Sequence, residues 1–295
     1  MSTTTVHSLP QAVPTAPRRA GRWGTLRRNP LALTGLVMGG LLVAAALAAP
    51  LISPYDPTLP DFGQVLAPPS LHHWLGTDDL GRDQLSRVIY GVRASMQVGV
   101  LAVLLAFVVG VPLGLLAGYY GRFTDTVVSR LTDTMLAFPF LVLAVGLAAV
   151  LGPSLLNATI AIGIAQIPAV LRITRAETLR LKHFDYVAAT IANGGGDATV
   201  LFRRILPNAT STLIVQATVG IPGAIIGEAL LSFLGLGVQP PSPSLGVMLS
   251  SAQAFIVQAP WMAVFPGLVI LAATLAFNLL GDGLRDVLDP RGRTS

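Results

Sequence analysis

Four stretches of this chain carry no charged side chain: residues 29–55, 94–121, 134–171 and 229–281. A helix needs about 20 consecutive apolar residues to cross the hydrocarbon core of a bilayer, and each of these runs is longer than that. Only 11% of the residues are charged and 53% are hydrophobic, whereas soluble domains carry roughly a quarter charged residues. The fold class is therefore an all-α membrane protein. A closed barrel would show alternating segments of about ten residues instead, and the sequence has none.

The apolar stretches and the breaks in them give six spans. The first covers 31–52, ended by Pro50 and Pro54, and a polar, Pro-rich loop over 53–92 carries Asp56, Asp61, Asp78, Asp79 and Asp83. The second covers 95–119, and an amphiphilic connection follows over 122–133. The run 134–171 would be nearly twice the hydrocarbon thickness as one helix. Gly152-Pro153-Ser154 breaks it, because proline cannot continue a helix, giving spans over 135–151 and 155–173. The fifth span covers 210–236, and the Pro-rich stretch 239–243 ends it. Residues 244–260 are apolar but interrupted by Ser250, Ser251, Gln253 and Gln258, so they read as an interfacial or re-entrant segment. The sixth span covers 261–280. Gly35, Gly39 and Gly40, with Gly110, Gly114 and Gly118, offer small-residue faces for close helix contact. Pro112, Pro139, Pro168, Pro222 and Pro266 would kink their helices, for bending or simply for packing.

Orientation follows from the cationic residues. Sixteen of the nineteen Lys and Arg fall on the side that holds both termini, and only Arg82, Arg87 and Arg93 fall on the other. The positive-inside bias places the termini and the 172–204 loop in the cytoplasm, with Trp74 and Trp261 near the outer boundary. The net charge of +5 reflects this bias and not nucleic-acid binding. The domain reading is a disordered basic tail over 1–29, a first helix and external loop over 30–92, a core over 93–283 and a cytoplasmic tail over 284–295.

The chain has no cysteine, which removes disulfides, thiolate metal sites and cysteine nucleophiles. His72 and His73 lie near Asp78, but no regular metal-ligand spacing accompanies them, so no metal is assigned. The reading there is an outer loop held by Asp–Arg pairing. A P-loop needs Gly-Lys followed by Ser or Thr. The sole lysine, Lys182, follows Leu181, so this chain does not hydrolyse ATP by that chemistry, and no convergent catalytic set is present.

The loop between spans four and five reads as a helix over 176–192, a turn at Gly194, Gly195 and Gly196 whose glycines allow positive φ, and a second helix with Asp197 as N-cap, ended by Pro207. Together, 176–206 form a cytoplasmic helical hairpin of the kind that docks a partner. Its sequence resembles the signature of permease subunits of binding-protein-dependent ABC importers, a Glu-Ala-Ala triplet, three residues, a glycine, nine residues and an Ile-x-Leu-Pro end. In register from Ile205, Leu206 and Pro207, the glycine is Gly194 and the triplet is Ala188, Ala189 and Thr190. The signature glutamate is thus Ala188, and its charged contact is missing. HHWLGTDDLGRDQLSRVIYGVRASMQVG over 72–99, EALLSFLGLGVQPPSPSLGVML over 228–249 and GDGLRDVLDPR over 281–291 are similar to the second permease of dipeptide, oligopeptide, nickel and glutathione importers.

The resemblance implies a type I ABC importer transmembrane domain in the inner or plasma membrane, moving small solutes by alternating access. It implies a second homologous permease, two ATPase subunits that hold the ATP and magnesium, an extracytoplasmic solute-binding protein, and no cofactor on this chain. It also implies that the hairpin docks the ATPase, with Arg180, Asp185, Arg203 and Arg204 supplying the contacts that Ala188 cannot. Glu228 is the only acid inside a predicted span. Intramembrane charges face a cavity or a partner, so Glu228 is either a translocation-pathway residue or a hydrogen-bonded structural one. A secondary carrier or channel acting alone is the competing class. Such carriers often show paired, interrupted helices in two halves, and no such repeat is evident.

Overall fold

The structure, a computed structural model, describes residues 30–288. The basic tail over 1–29 and the last residues of the 284–295 tail lie outside the described residues. Five helices are long and apolar enough to span a membrane: α1 (Pro30–Ile52), α2 (Gln84–Tyr120), α5 (Leu155–Leu181), α7 (Asp197–Phe233) and α9 (Trp261–Leu288). A bent pair, α3 (Arg122–Leu136) and α4 (Phe140–Leu151), which meet at 89°, makes a sixth when the two are counted as one broken span. Two short helices complete the set, α6 (Asp185–Ala192) and α8 (Leu245–Ala252).

Several boundaries differ from those read in the sequence. Pro50 lies inside α1 and does not end it. α2 begins at Gln84, within the stretch read as loop, because Asp83 accepts the backbone N–H of Ser86 and caps the helix. The division at residue 92 therefore cuts a helix. The predicted third span over 135–151 is not one helix. Pro139 follows Phe138, and the residue before a proline is pushed out of the helical region. α4 alone is 12 residues, about 18 Å, too short to cross unaided. At the other end, residues 284–288 continue α9 and are not tail.

Lipid tails are as apolar as leucine, so close approach, and not hydrophobic burial, holds membrane helices together. The α2–α5 contact is built this way. A Cβ added at Gly110 would sit 3.0 Å from Val170 Cβ, one at Gly114 2.6 Å from Thr174 Cβ, and one at Gly118 2.7 Å from Thr178 Cβ. Both stripes repeat every fourth residue, which keeps them on one face of each helix. At Gly114 the added carbon would also lie 2.7 Å from the Leu171 carbonyl oxygen, so the two backbones would have to part. Gly114→Val is therefore expected to cost about 3 kcal/mol by overpacking, read as a lower thermal midpoint in detergent. Gly40→Val, where an added Cβ meets nothing within 4 Å, is expected to leave that midpoint unchanged.

α1 and α9 cross in the same manner, with Gly35 against the backbone of Leu280 and Gly283 against Ala32. A core of Val98, Ala102, Ala144, Ala148, Ile162, Ala224 and Leu231 joins α2, α4, α5 and α7. On the outer side, Trp261 donates its indole N–H to the Thr77 oxygen at 3.0 Å, and Gln84 donates to the Met262 oxygen at 3.2 Å. These bonds pin the loop after α1 and the first residue of α2 to the start of α9. Trp74 is 69% exposed. α8 folds back against α7, where Gly246 packs on the backbone of Ala229.

Candidate functional site: the cytoplasmic hairpin and the buried acid

The hairpin exists, but its arms are continuous with the spans. α5 runs without interruption to Leu181, and a turn at 182–184 precedes α6. α6 ends at Asn193. The N–H of Gly194 bonds the Ile191 oxygen and that of Gly195 bonds the Thr190 oxygen, each at 2.9 Å. Of the three glycines only Gly194 takes a positive φ, 79°. Gly195 is required for space, since a Cβ there would lie 2.8 Å from the Thr190 oxygen.

Two sequence expectations for the second arm fail. The N-cap of that arm is Gly196. Asp197 is the first helical residue, and its carboxylate accepts the hydroxyls of Tyr119 at 2.8 Å and Tyr120 at 3.0 Å. Pro207 does not end the helix. It sits in the first turn of the segment that follows a π-helical turn over Leu201–Ile205. There the Leu206 N–H reaches back to the Leu201 oxygen. One widened turn accommodates a residue that cannot donate a backbone hydrogen bond, so the arm and span five form a single helix.

Ala188 and Ala189 lie exposed on α6, Thr190 is half-buried with its hydroxyl on the Tyr186 oxygen, and Ile205 is fully buried. Leu206 is half-buried and Pro207 exposed. Val187, Val200, Leu201 and Ile205 pack the arms together over Leu115, Leu181 and Leu213. Outward-facing are Phe184 and Tyr186, stacked at 5.8 Å and 13°, with Ile191 53% and Phe202 61% exposed. Partial burial raises the Tyr186 phenol above its ordinary value, against the opposing charge of Arg180. Arg204 joins Tyr186, Ala189, Thr190, Asn193 and Gly195 around a shallow groove. Among the described residues neither Arg203 nor Arg204 has an ion-pair partner, whereas Arg180 is taken by Glu177 at 2.6 Å. The sequence reading missed Phe184, Tyr186 and Phe202, whose only signal was aromatic side chains within a charged loop.

Glu228 is fully buried. Its carboxylate accepts Ser95 Oγ of α2 at 2.7 Å and Ser232 Oγ of its own helix at 2.8 Å. No cation pairs with it among the described residues. The carboxylate thus joins α2 and α7.

In the outer loop Asp78 accepts the N–H groups of Leu80 and Arg82, each at 2.9 Å, and the Arg82 guanidinium at 2.8 Å, with Arg87 at 3.2 Å. His73 Nδ1 lies 2.9 Å from Asp83, which also caps α2 through Ser86. Asp–Arg pairing therefore holds this loop. His73 is spent on the Asp83 carboxylate, and the His72 backbone oxygen accepts the Tyr55 hydroxyl.

Residues 110–294 match the family described as binding-protein-dependent transport system inner membrane component. The chain belongs to this family. It is a multi-pass inner-membrane protein and a permease component of a transport system. Residues 19–69 match the N-terminal transmembrane domain of oligopeptide transport permease C. The dipeptide transport system permease protein DppC of Alkalihalophilus pseudofirmus is 47% identical over 268 residues, 90% of this chain and 88% of that protein. The glutathione transport system permease protein GsiD of Pectobacterium atrosepticum is 43% identical over 270 residues, 91% of this chain and 90% of that protein. A solved structure of the MetNI methionine ABC transporter matches with a TM-score of 0.57 at 18% identity, covering 70% of this chain and 97% of that one. This last likeness shows the fold, the type I ABC importer transmembrane domain.

Proposed function

We propose that this chain is the permease subunit of an importer for peptides or related small solutes, dipeptides, oligopeptides, nickel chelates or glutathione, in which separate ATPase subunits bind ATP and magnesium. Its partners in this reading are a second homologous permease, two ATPases and an extracytoplasmic solute-binding protein. The observation that carries the reading is the hairpin. It holds an exposed aromatic and apolar face of Phe184, Tyr186, Ile191 and Phe202, beside two arginines with no ion-pair partner among the described residues. Exposed apolar patches of this kind mark interaction sites.

The coupling residues are Ala188, Ala189, Thr190, Gly194, Asp197, Arg203, Arg204, Ile205, Leu206 and Pro207, and seven of them fall into three roles. Ala188 and Ala189 give a flat surface on which a groove can close. Thr190 and Gly194 fix the turn. Ile205, Leu206 and Pro207 pass the second arm into span five. A partner that pushes the hairpin moves α5 and α7 directly, because each arm is an extension of a span. Glu228, which accepts the hydroxyls of Ser95 and Ser232, ties α2 to α7 in this reading.

The test is reconstitution of the chain with its co-purified partners in liposomes, followed with a labelled dipeptide and labelled glutathione. Uptake is expected only with ATP inside the compartment that the hairpin faces. Nucleotide-independent uptake by the purified chain alone would overturn the reading.

A further inference from the structure

The last turn of α2 is attached to both roots of the hairpin. Lys182 follows the last residue of α5, and its Nζ donates to the Gly118 oxygen at 3.0 Å. Asp197 opens α7, and its two carboxylate oxygens are taken separately, Oδ1 by the Tyr119 hydroxyl and Oδ2 by the Tyr120 hydroxyl. Adjacent helix residues project about 100° apart, so two neighbouring tyrosines reach one carboxylate only by bracketing it. Their rings meet edge to face at 5.2 Å. Three consecutive residues of α2 thus bond the two residues between which the hairpin protrudes.

Stability alone gives little reason for this arrangement. α2 is already fixed to α5 by the Gly110, Gly114 and Gly118 stripe, and the tyrosine contacts lie at an exposed boundary, where polar contacts add little. α2 ends directly beyond them, at Gly121 with φ 65°, where the chain turns into α3.

We propose that residues 118–120 are a latch that passes hairpin movement to α2, so that span two moves with spans four and five. The proposal rests on the coupling reading above. Tyr119, Tyr120, Lys182 and Asp197 are positioning residues in it. The bonds are charge-assisted, hence directional, yet exposed enough to exchange with water, which suits a contact that must bear load without locking one state.

The absence of cysteine permits a clean test in the assembled complex with cysteine-free partners. Spin labels are placed in one variant at Ile191→Cys on the hairpin, and in another at Val108→Cys on α2 paired with Leu268→Cys on α9, all three positions being at least half exposed. MgATP with vanadate is the probe, so no transported solute is needed. In the otherwise native chain both the hairpin label and the α2–α9 distance are expected to respond. With Tyr119→Phe and Tyr120→Phe together, the hairpin label is expected to respond as before, while the α2–α9 change falls at least fivefold. Asp197→Asn is expected to give the same loss, with no further loss on combination. An undiminished α2–α9 change in the double phenylalanine variant would overturn the latch and leave the docking reading standing. A hairpin label that does not respond in the native chain would overturn both. Equal loss of assembly and of the distance change would assign the tyrosines to mere structure and overturn the latch.

Discussion

Asp78→Ala is expected to be the most destabilising single substitution in the outer loop, at about 3–5 kcal/mol, the usual cost of stripping one partner from a buried ion pair. Arg82 and Arg87 are 6% and 2% exposed, and both guanidinium groups lie on the Asp78 carboxylate, at 2.8 and 3.2 Å. Without that carboxylate two positive charges would remain buried. Among the described residues, the only other acid paired with them is Asp79, 3.7 Å from Arg82. The same carboxylate accepts two backbone N–H groups that form the turn. Asp78→Asn keeps an acceptor for those groups and loses only the charge, so it is expected to be milder. The check is the thermal midpoint of the purified protein in detergent, with Asp56→Ala as the control. Asp56 is exposed, and among the described side chains it bonds only Thr58. Equal midpoints for Asp78→Ala and Asp56→Ala would show that the charge cluster carries no stability.

Deleting residues 194–196 is expected to abolish solute-stimulated ATP hydrolysis by the assembled complex while leaving membrane insertion intact. The deletion removes the positive-φ turn at Gly194 and the close contact of Gly195 with Thr190. α6 and the second arm could then no longer fold antiparallel. The membrane core formed by Val98, Ala102, Ile162 and Ala224 lies in the spans and touches none of these residues, so insertion has no reason to fail. Insertion is read by membrane fractionation, and hydrolysis by phosphate release with and without a solute-loaded binding protein. Normal stimulation in the deletion variant would count against the docking role of the hairpin.

The spans were legible because charge-free runs leave few other folds open, and a close-contact face on α2 was legible because Gly110, Gly114 and Gly118 recur at helical spacing, although its partner α5 was not. The start of α2 was not. Arg87 and Asp83 look like loop residues until the structure shows one buried against Asp78 and the other capping the helix. The bend at Pro139 was hidden because a proline within an apolar run signals a kink but not its angle. Pro207 misled in the opposite sense, since a π-helical turn absorbs its missing donor. At the hairpin the turn glycines were readable, whereas Tyr119 and Tyr120 carried no signal in the sequence. Nothing in a linear string says that two hydroxyls meet a carboxylate 77 and 78 residues away.

Because α7 is unbroken, the same rod that begins at Asp197 carries Glu228 near its far end. The 31 residues between them span about 47 Å. A tilt of about 5° about its inner end would sweep the outer end through about 4 Å by that length, more than a serine–carboxylate bond can stretch. Small rotations delivered on the cytoplasmic side are therefore amplified, by the geometry of a lever, at the seat of α8.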